Sequence, residues 1–154
     1  MHDTVTVAPD WLLPLDSMPI RNGYLVLHHG RVDFVGCELP LKYRTTRKVE
    51  LRGYAVLPGL VNAHCHLEFS DLLEPIPAGP TFPDWIRRLI DRRKAGAGDP
   101  NEQIDCRRAA VVKGLAESYA CGVRWLVDMT TQPWDPDWLA ADRRMVVQPC
   151  IEMM

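Results

Sequence analysis

Three observations predict an α/β chain. Residues 1–56 hold short apolar runs separated by turn formers. Two helix starts are signalled near positions 81 and 99. Strand-type runs stand before, between and after the helical patterns, which argues for a parallel βαβ sheet over residues 57–154. The chain has 154 residues, a net charge of −2 and a hydrophobic share of 47%, an ordinary composition for a soluble domain. The near-neutral charge argues against a nucleic-acid or membrane-surface partner. No apolar run approaches the roughly 20 residues that a membrane helix needs. The start, Met1-His2-Asp3-Thr4, lacks the basic-then-apolar order of a signal peptide. The five cysteines, at 37, 65, 106, 121 and 150, are odd in number and scattered. That suits free thiols in a cytoplasmic setting.

The first 56 residues read as β. Val5 to Val7 predicts one strand, and Trp11-Leu12-Leu13 is a second apolar run. Pro14 to Asn22 is rich in turn formers and predicts a loop. Tyr24 to His28 and Arg31 to Val35 flank His29-Gly30, where Gly30 is placed for positive φ, so the pair predicts a tight hairpin. His28 and His29 are expected as exposed turn residues. Lys48 to Leu51 predicts a further strand before Arg52-Gly53.

The helical elements follow. A strand is expected over 57–66, then a loop over 67–80 with Pro75, Pro77 and Pro80. Thr81-Phe82-Pro83-Asp84 is a capping box with proline in the first turn. Phe82, Trp85, Ile86, Leu89 and Ile90 make one apolar stripe. Arg87, Arg88, Arg92, Arg93 and Lys94 predict a solvated face in preference to a phosphate site. Gly96 and Gly98 end the helix. Asp99-Pro100-Asn101-Glu102 starts the next, with Ile104, Val111, Val112, Leu115 and Tyr119 as its stripe. Gly122 sits where a C′ glycine belongs. Val123 to Asp128 reads as a buried strand. Asp135-Pro136 starts a short third helix through about Asp142, with Trp134 and Trp138 as packing residues. Arg144 to Ile151 reads as the last strand.

The chemistry centres on Leu57-Pro58-Gly59-Leu60-Val61-Asn62-Ala63-His64-Cys65-His66-Leu67-Glu68. In a strand, side chains alternate faces, so His64 and His66 point the same way and could share one metal ion. Taken alone, the pair is equally compatible with two polar residues at a strand end. Cys65 points to the other face. Glu68 has the same parity as the two histidines.

The segment Gly53 to Glu68 closely resembles the opening of the barrel in the amidohydrolase superfamily, in the branch of cytosine and guanine deaminases, triazine chlorohydrolases and aminodeoxyfutalosine deaminases. In that family a Pro-Gly turn leads into the first barrel strand, which ends in H-x-H. Val123 to Asp128 is similar to the family's Gly-Val-Thr-x-x-x-Asp segment. The resemblance implies a (β/α)8 TIM-type barrel preceded by part of a small β-sandwich. It implies domains over 1–56 and 57–154, with His64 and His66 as metal ligands and zinc or ferrous iron as the cofactor. A barrel of this kind needs about 250 residues. The roughly 95 residues after the Pro-Gly turn allow about three βα units.

The expected parent activity is hydrolysis of a C–N bond in a small molecule by metal-activated water. Glu68, Asp128 and Glu152 are candidate substrate-binding residues, the latter two because barrel enzymes place functional groups at strand ends. In the family, further histidines and an aspartate come from later strands. His66 is the last histidine here, so an N-terminal portion without catalysis of its own is expected. The alternative is a catalytically dead short protein, a binding or assembly module completed by a partner chain. Self-association into a homo-oligomer is compatible with either.

Overall fold

The computed structural model describes residues 4–95, 99–132, 135–139 and 144–152. The chain divides into two compact units, Met1–Pro58 and Gly59–Met154. Among the described residues no helix is long and apolar enough to cross a membrane.

The first unit is built around one long strand, β1 (Thr4–Leu12). The two short runs expected at Val5 and Trp11 are therefore one strand. Pro9 interrupts the apolar pattern, and the register with its parallel partner shifts between Pro9 and Trp11. That partner is β5 (Arg47–Val56), longer than the expected Lys48–Leu51. It runs through Gly53, whose φ of 79° only glycine adopts without strain, and whose amide donates to Asp10 Oδ2 at 3.0 Å. On its other side β1 pairs antiparallel with β2 (Ile20–Arg21) and β3 (Tyr24–His28). β3 and β4 (Arg31–Gly36) form the expected hairpin, with His29 at φ 49° and Gly30 at φ 74°. Two successive positive φ values match the right-handed twist of the strands. His28 and His29 are exposed, as expected. Leu12, Val26 and Tyr43 form the apolar interior, and the buried Thr6 hydroxyl is satisfied by Thr46 Oγ1 at 2.6 Å.

The second unit is a three-stranded parallel sheet in the order β6 (Leu60–Cys65), β7 (Val123–Thr130), β8 (Val146–Ile151). Two helices join β6 to β7: α1 (Phe82–Ala95) and α2 (Pro100–Ala120). Both starts carry their expected caps. Thr81 Oγ1 accepts from Asp84 N, and Asp99 Oδ1 accepts from Asn101 N at 2.7 Å. Gly122 ends α2 at φ 91°. The glycines at 96 and 98 lie outside the described residues. Within the expected third helix, the described residues Pro136–Leu139 form a 3-10 turn. Trp134 and Asp142 fall outside the described residues, and Trp138 packs against the core as anticipated.

That core is Leu67, Val111, Val123 and Leu126. It corrects the stripe read for α2. Ile104 and Val112 are exposed, and the buried face instead runs through Ala110, Val111 and Gly114. Apolar side chains occur on two faces of α2, and the smallest residues select the inward one. Gly114 lets the helix approach the 3-10 turn Leu67–Phe69. A β-carbon there would strike Ser70 Oγ and lie 2.9 Å from Leu67 Cδ2. Phe82, expected inside, is also exposed.

A helix-interior glycine ordinarily gains about 1 kcal/mol when replaced by alanine. Overpacking reverses that sign here. Gly114→Val is expected to destabilise the unit by about 1–3 kcal/mol in urea unfolding. Adding Ser70→Gly should recover part of the loss. An unchanged midpoint for Gly114→Val would show that the close approach carries no weight.

Candidate metal centre

The two histidines of the H-x-H pair come together at the C-terminal end of β6. Their ring centroids are 5.3 Å apart. His64 is exposed and His66 half-buried. The strand is not regular there. Asn62 pairs with Leu126 and Cys65 with Asp128, so three steps along β6 face two along β7. That extra residue is a β-bulge, a device that re-aims side chains at strand ends. Asn62 contributes to it, because its Oδ1 accepts from the His64 amide at 3.2 Å. The strand stops at Cys65, and His66 leads into the Leu67–Phe69 turn.

This turn is pinned from beneath. Asp128, 1% exposed, accepts the Leu67 amide on Oδ1 at 2.8 Å. Cys65 faces the same interior and donates to Val127 O at 3.4 Å. Burial, and then the nearby Asp128 charge, push the Cys65 thiol up to about 11. It is a thiol packed against the core next to the pair in sequence.

Glu68 lies on a second support. Its carboxylate accepts from Thr131 Oγ1 at 3.2 Å and faces Arg107 Nε at 3.8 Å, both side chains being largely buried. Arg107 also donates to Thr130 Oγ1 at 2.7 Å and to the Gln132 carbonyl. Helix α2 is thereby tied to the ends of β6 and β7. Arg107 escaped the sequence reading, although it lies three and four residues before Ala110 and Val111 on the same inward face. Including arginine in the stripe would have found it.

A cleft of about 500 Å³ opens beside His66. Phe69, Leu72, Trp85 and Ile86 line it, and Glu152 stands at the end of β8 on the same cleft. The structure thus brings His64, His66 and Glu152 to one end of the sheet, and holds Asp128 and Glu68 in the supports below. Arg88 donates to the carbonyls of Pro77 and Ala78 at 3.0 and 2.9 Å, which fixes the proline-rich loop. Arg87 pairs with Asp84 at 2.8 Å on the solvated face.

The donor set answers part of what a metal needs. His66 Nδ1 is buried without a hydrogen-bond partner among the described residues. An imidazole nitrogen so placed is the donor that divalent metals take. No group of three or more His, Cys, Asp or Glu side chains converges among the described residues. His64 and His66 therefore fit as two members of a larger set.

The same architecture recurs in solved enzymes. A variant of atrazine chlorohydrolase from Arthrobacter aurescens TC1, complexed with zinc and atraton, superposes with a TM-score of 0.68 at 20% identity. That match covers 95% of this chain and 35% of that one. Guanine deaminase from C. acetobutylicum, with bound guanine, gives a TM-score of 0.66 at 14% identity, covering 90% of this chain and 32% of that one. Among curated proteins, imidazolonepropionase of Cupriavidus taiwanensis is 39% identical over 64 residues, which is 38% of this chain and 15% of that protein. Imidazolonepropionase of Paracoccus denitrificans is 38% identical over 53 residues, 33% of this chain and 13% of that protein. No protein-family model matches the chain. These relatives and neighbours are all members of the amidohydrolase superfamily, so the likeness to that superfamily holds both in matched sequence and in fold. The chain spans a third or less of the length of most of them.

Two outcomes follow from the supports. Asp128→Ala leaves the buried Leu67 amide without an acceptor and is expected to cost about 1–3 kcal/mol in unfolding experiments. At pH 8, a thiol near 11 instead of 9.0 carries roughly a hundredfold less thiolate. Iodoacetamide followed by mass spectrometry should therefore label Cys65 at least that much more slowly than exposed Cys37, Cys106 and Cys121. Equal rates would contradict the packing around Cys65.

Proposed function

We propose that residues 1–154 are the N-terminal part of a metal-dependent amidohydrolase or deaminase that cleaves a C–N bond in a small molecule. On this reading Gly59–Met154 contributes the first strands of a (β/α)8 barrel, and Met1–Pro58 contributes part of a flanking β-sandwich. The observation that carries the reading is the His64–His66 pair, re-aimed by a bulge at the C-terminal end of a parallel strand, where barrel enzymes gather their functional groups. Support comes from the zinc complex of the atrazine chlorohydrolase neighbour and from the deaminase and hydrolase names of the other relatives.

The chain's own residues have distinct tasks in this proposal. His64 and His66 supply two nitrogen ligands to zinc or ferrous iron. A divalent metal, when bound, supplies Lewis acidity toward water and toward the carbon under attack. Asp128 fixes the backbone directly after His66, so the ligand's orientation depends on a buried hydrogen bond. Glu68, drawn to Arg107 and Thr131, stabilises the turn below the site and stands ready to meet substrate only at its edge. Glu152 faces the cleft as a substrate-binding carboxylate. Catalytic zinc ordinarily has three protein ligands and an open position. Two histidines fall short of that, so turnover requires ligands beyond those that the described residues bring together. We place the protein in the cytoplasm, where its free cysteines remain reduced.

Metal content tests the reading. The purified protein, loaded with zinc or cobalt and dialysed, is expected to retain metal. His64→Ala and His66→Ala should each weaken retention by tenfold or more, and together should abolish it. Cobalt absorption in the visible range would report tetrahedral or five-coordinate nitrogen ligation. If the double variant retains as much metal as the original, the pair is not a ligand set. The assembly-module reading then takes its place.

A further inference from the structure

His66 is followed by two residues that are held from two directions. The Leu67 amide is tied to Asp128 on β7, and the Glu68 carboxylate faces Arg107 on α2. Arg107 does more than pair with one acid. Its Nη2 donates to Thr130 Oγ1 at 2.7 Å and to the Gln132 carbonyl, and its Nη1 donates to Gln132 Oε1 at 3.3 Å. The Thr130 hydroxyl donates in turn to the Gln132 carbonyl at 2.7 Å. The Thr130 carbonyl accepts the Glu152 amide at the end of β8, at 2.9 Å. One guanidinium therefore joins the turn after β6 to the end of β7, and Thr130 passes the connection on to β8.

Stability alone does not account for an ion pair in this place. The side chains of Arg107 and Glu68 are 18% and 11% exposed. Taking two charges out of water offsets most of their mutual attraction, so a well-packed apolar pair stabilises a fold as much or more. Position 107 shares the inward face of α2 with the buried Ala110 and Val111, where an apolar residue is the ordinary occupant. An apolar residue supplies no direction. The planar guanidinium presents its donors in a fixed fork, and each acceptor here belongs to a turn or loop at a strand end. Lysine, a point charge on a flexible stem, would not hold that set in one geometry.

We infer that Arg107 is a positioning residue for His66. Through Glu68 it fixes the 3-10 turn Leu67–Phe69, which begins directly at His66, and so sets the spacing of the two imidazoles before any ion binds. It acts on the ligand through the turn and not by contact with the ion, as outer partners of metal-binding histidines do. The inference rests on the proposed metal reading for the purpose of that placement. The placement itself is a property of the metal-free chain.

The test compares Arg107→Met, Arg107→Lys and the double variant Arg107→Met/Glu68→Gln. The double variant leaves no buried carboxylate without its cation, so it keeps the test open should Arg107→Met fail to fold. Val123→Ala is the control, a core truncation at the opposite end of β7 from the turn. Carbon–proton NMR of the imidazole rings in metal-free protein reads the placement, with His28 and His29 of the first unit as internal references. The His66 ring signals should shift and broaden in both methionine variants and move less in Arg107→Lys. They should stay in place in Val123→Ala, even though that variant lowers the urea midpoint. Cobalt titration of the folded variants should show affinity weakened about tenfold or more in both methionine variants, with part of it regained in Arg107→Lys. Val123→Ala should bind cobalt as the original does. His66 signals that stay in place in the double variant, or an equal loss of cobalt affinity in Val123→Ala, would each overturn the inference. A His66 ring that responds to Arg107 in a protein that binds no cobalt in any form overturns the metal reading and leaves the placement standing.

Discussion

The hydrogen bond from the Leu67 amide to the Asp128 carboxylate is the constraint on which the second unit depends. It joins the end of β6 to the neighbouring strand at a point where the ladder has already been broken by the bulge. The backbone after a bulge has lost its regular partners, and a buried amide there would otherwise go unpaired. One acidic side chain restores the pairing and in doing so sets where the chain turns. His66 precedes that turn by one residue, Leu67 fills the core from it, and Glu68 reaches Arg107 from it. The site and the core of this unit are thus consequences of one contact.

The division of labour among the acidic residues follows from depth. Asp128 is enclosed and accepts from backbone. Glu68 is largely enclosed and meets a guanidinium and a hydroxyl. Glu152 stands at the rim of a cleft. A carboxylate's surroundings decide its use, because a buried charge is tolerated only when its oxygens are occupied. The three share a position near strand ends, yet only Glu152 lines the cleft itself.

Much of this was legible in the sequence, and the failures have physical causes. Helix starts were clear because Thr81 and Asp99 cap through local side-chain chemistry that needs no tertiary partner. The hairpin at His29-Gly30 and the stop at Gly122 were clear for the same reason, since positive φ leaves a signature in residue choice. The H-x-H pair was visible as a spacing, and its superfamily as a motif. What escaped depended on long-range neighbours. The bulge at Ala63-His64 is set by the register with β7, and no spacing rule reveals it. The inward face of α2 was misread at Ile104 and Val112 because Gly114, which permits the closest approach, counts as nothing in a hydrophobic stripe. Arg107 was overlooked because an arginine adds nothing to a hydrophobic stripe, and its partners Glu68 and Thr130 are distant in sequence. The union of Val5 and Trp11 into one strand required β5, some 40 residues away, to bridge the interruption at Pro9.

That last pairing also has a bearing on how the polypeptide comes off the ribosome. β1 emerges before the other strands of its unit, and its parallel partner spans Arg47 to Val56. At about 5–20 residues per second, the wait between Val7 and Val49 is roughly 2 to 8 s. The hairpin of β3 and β4 can close within microseconds of its own synthesis. During that interval one side of β1 can pair with β3 while the other stays open. The nascent chain therefore carries an unguarded strand edge through seconds of translation, a window in which chaperone capture and intermolecular strand pairing compete with the native neighbour.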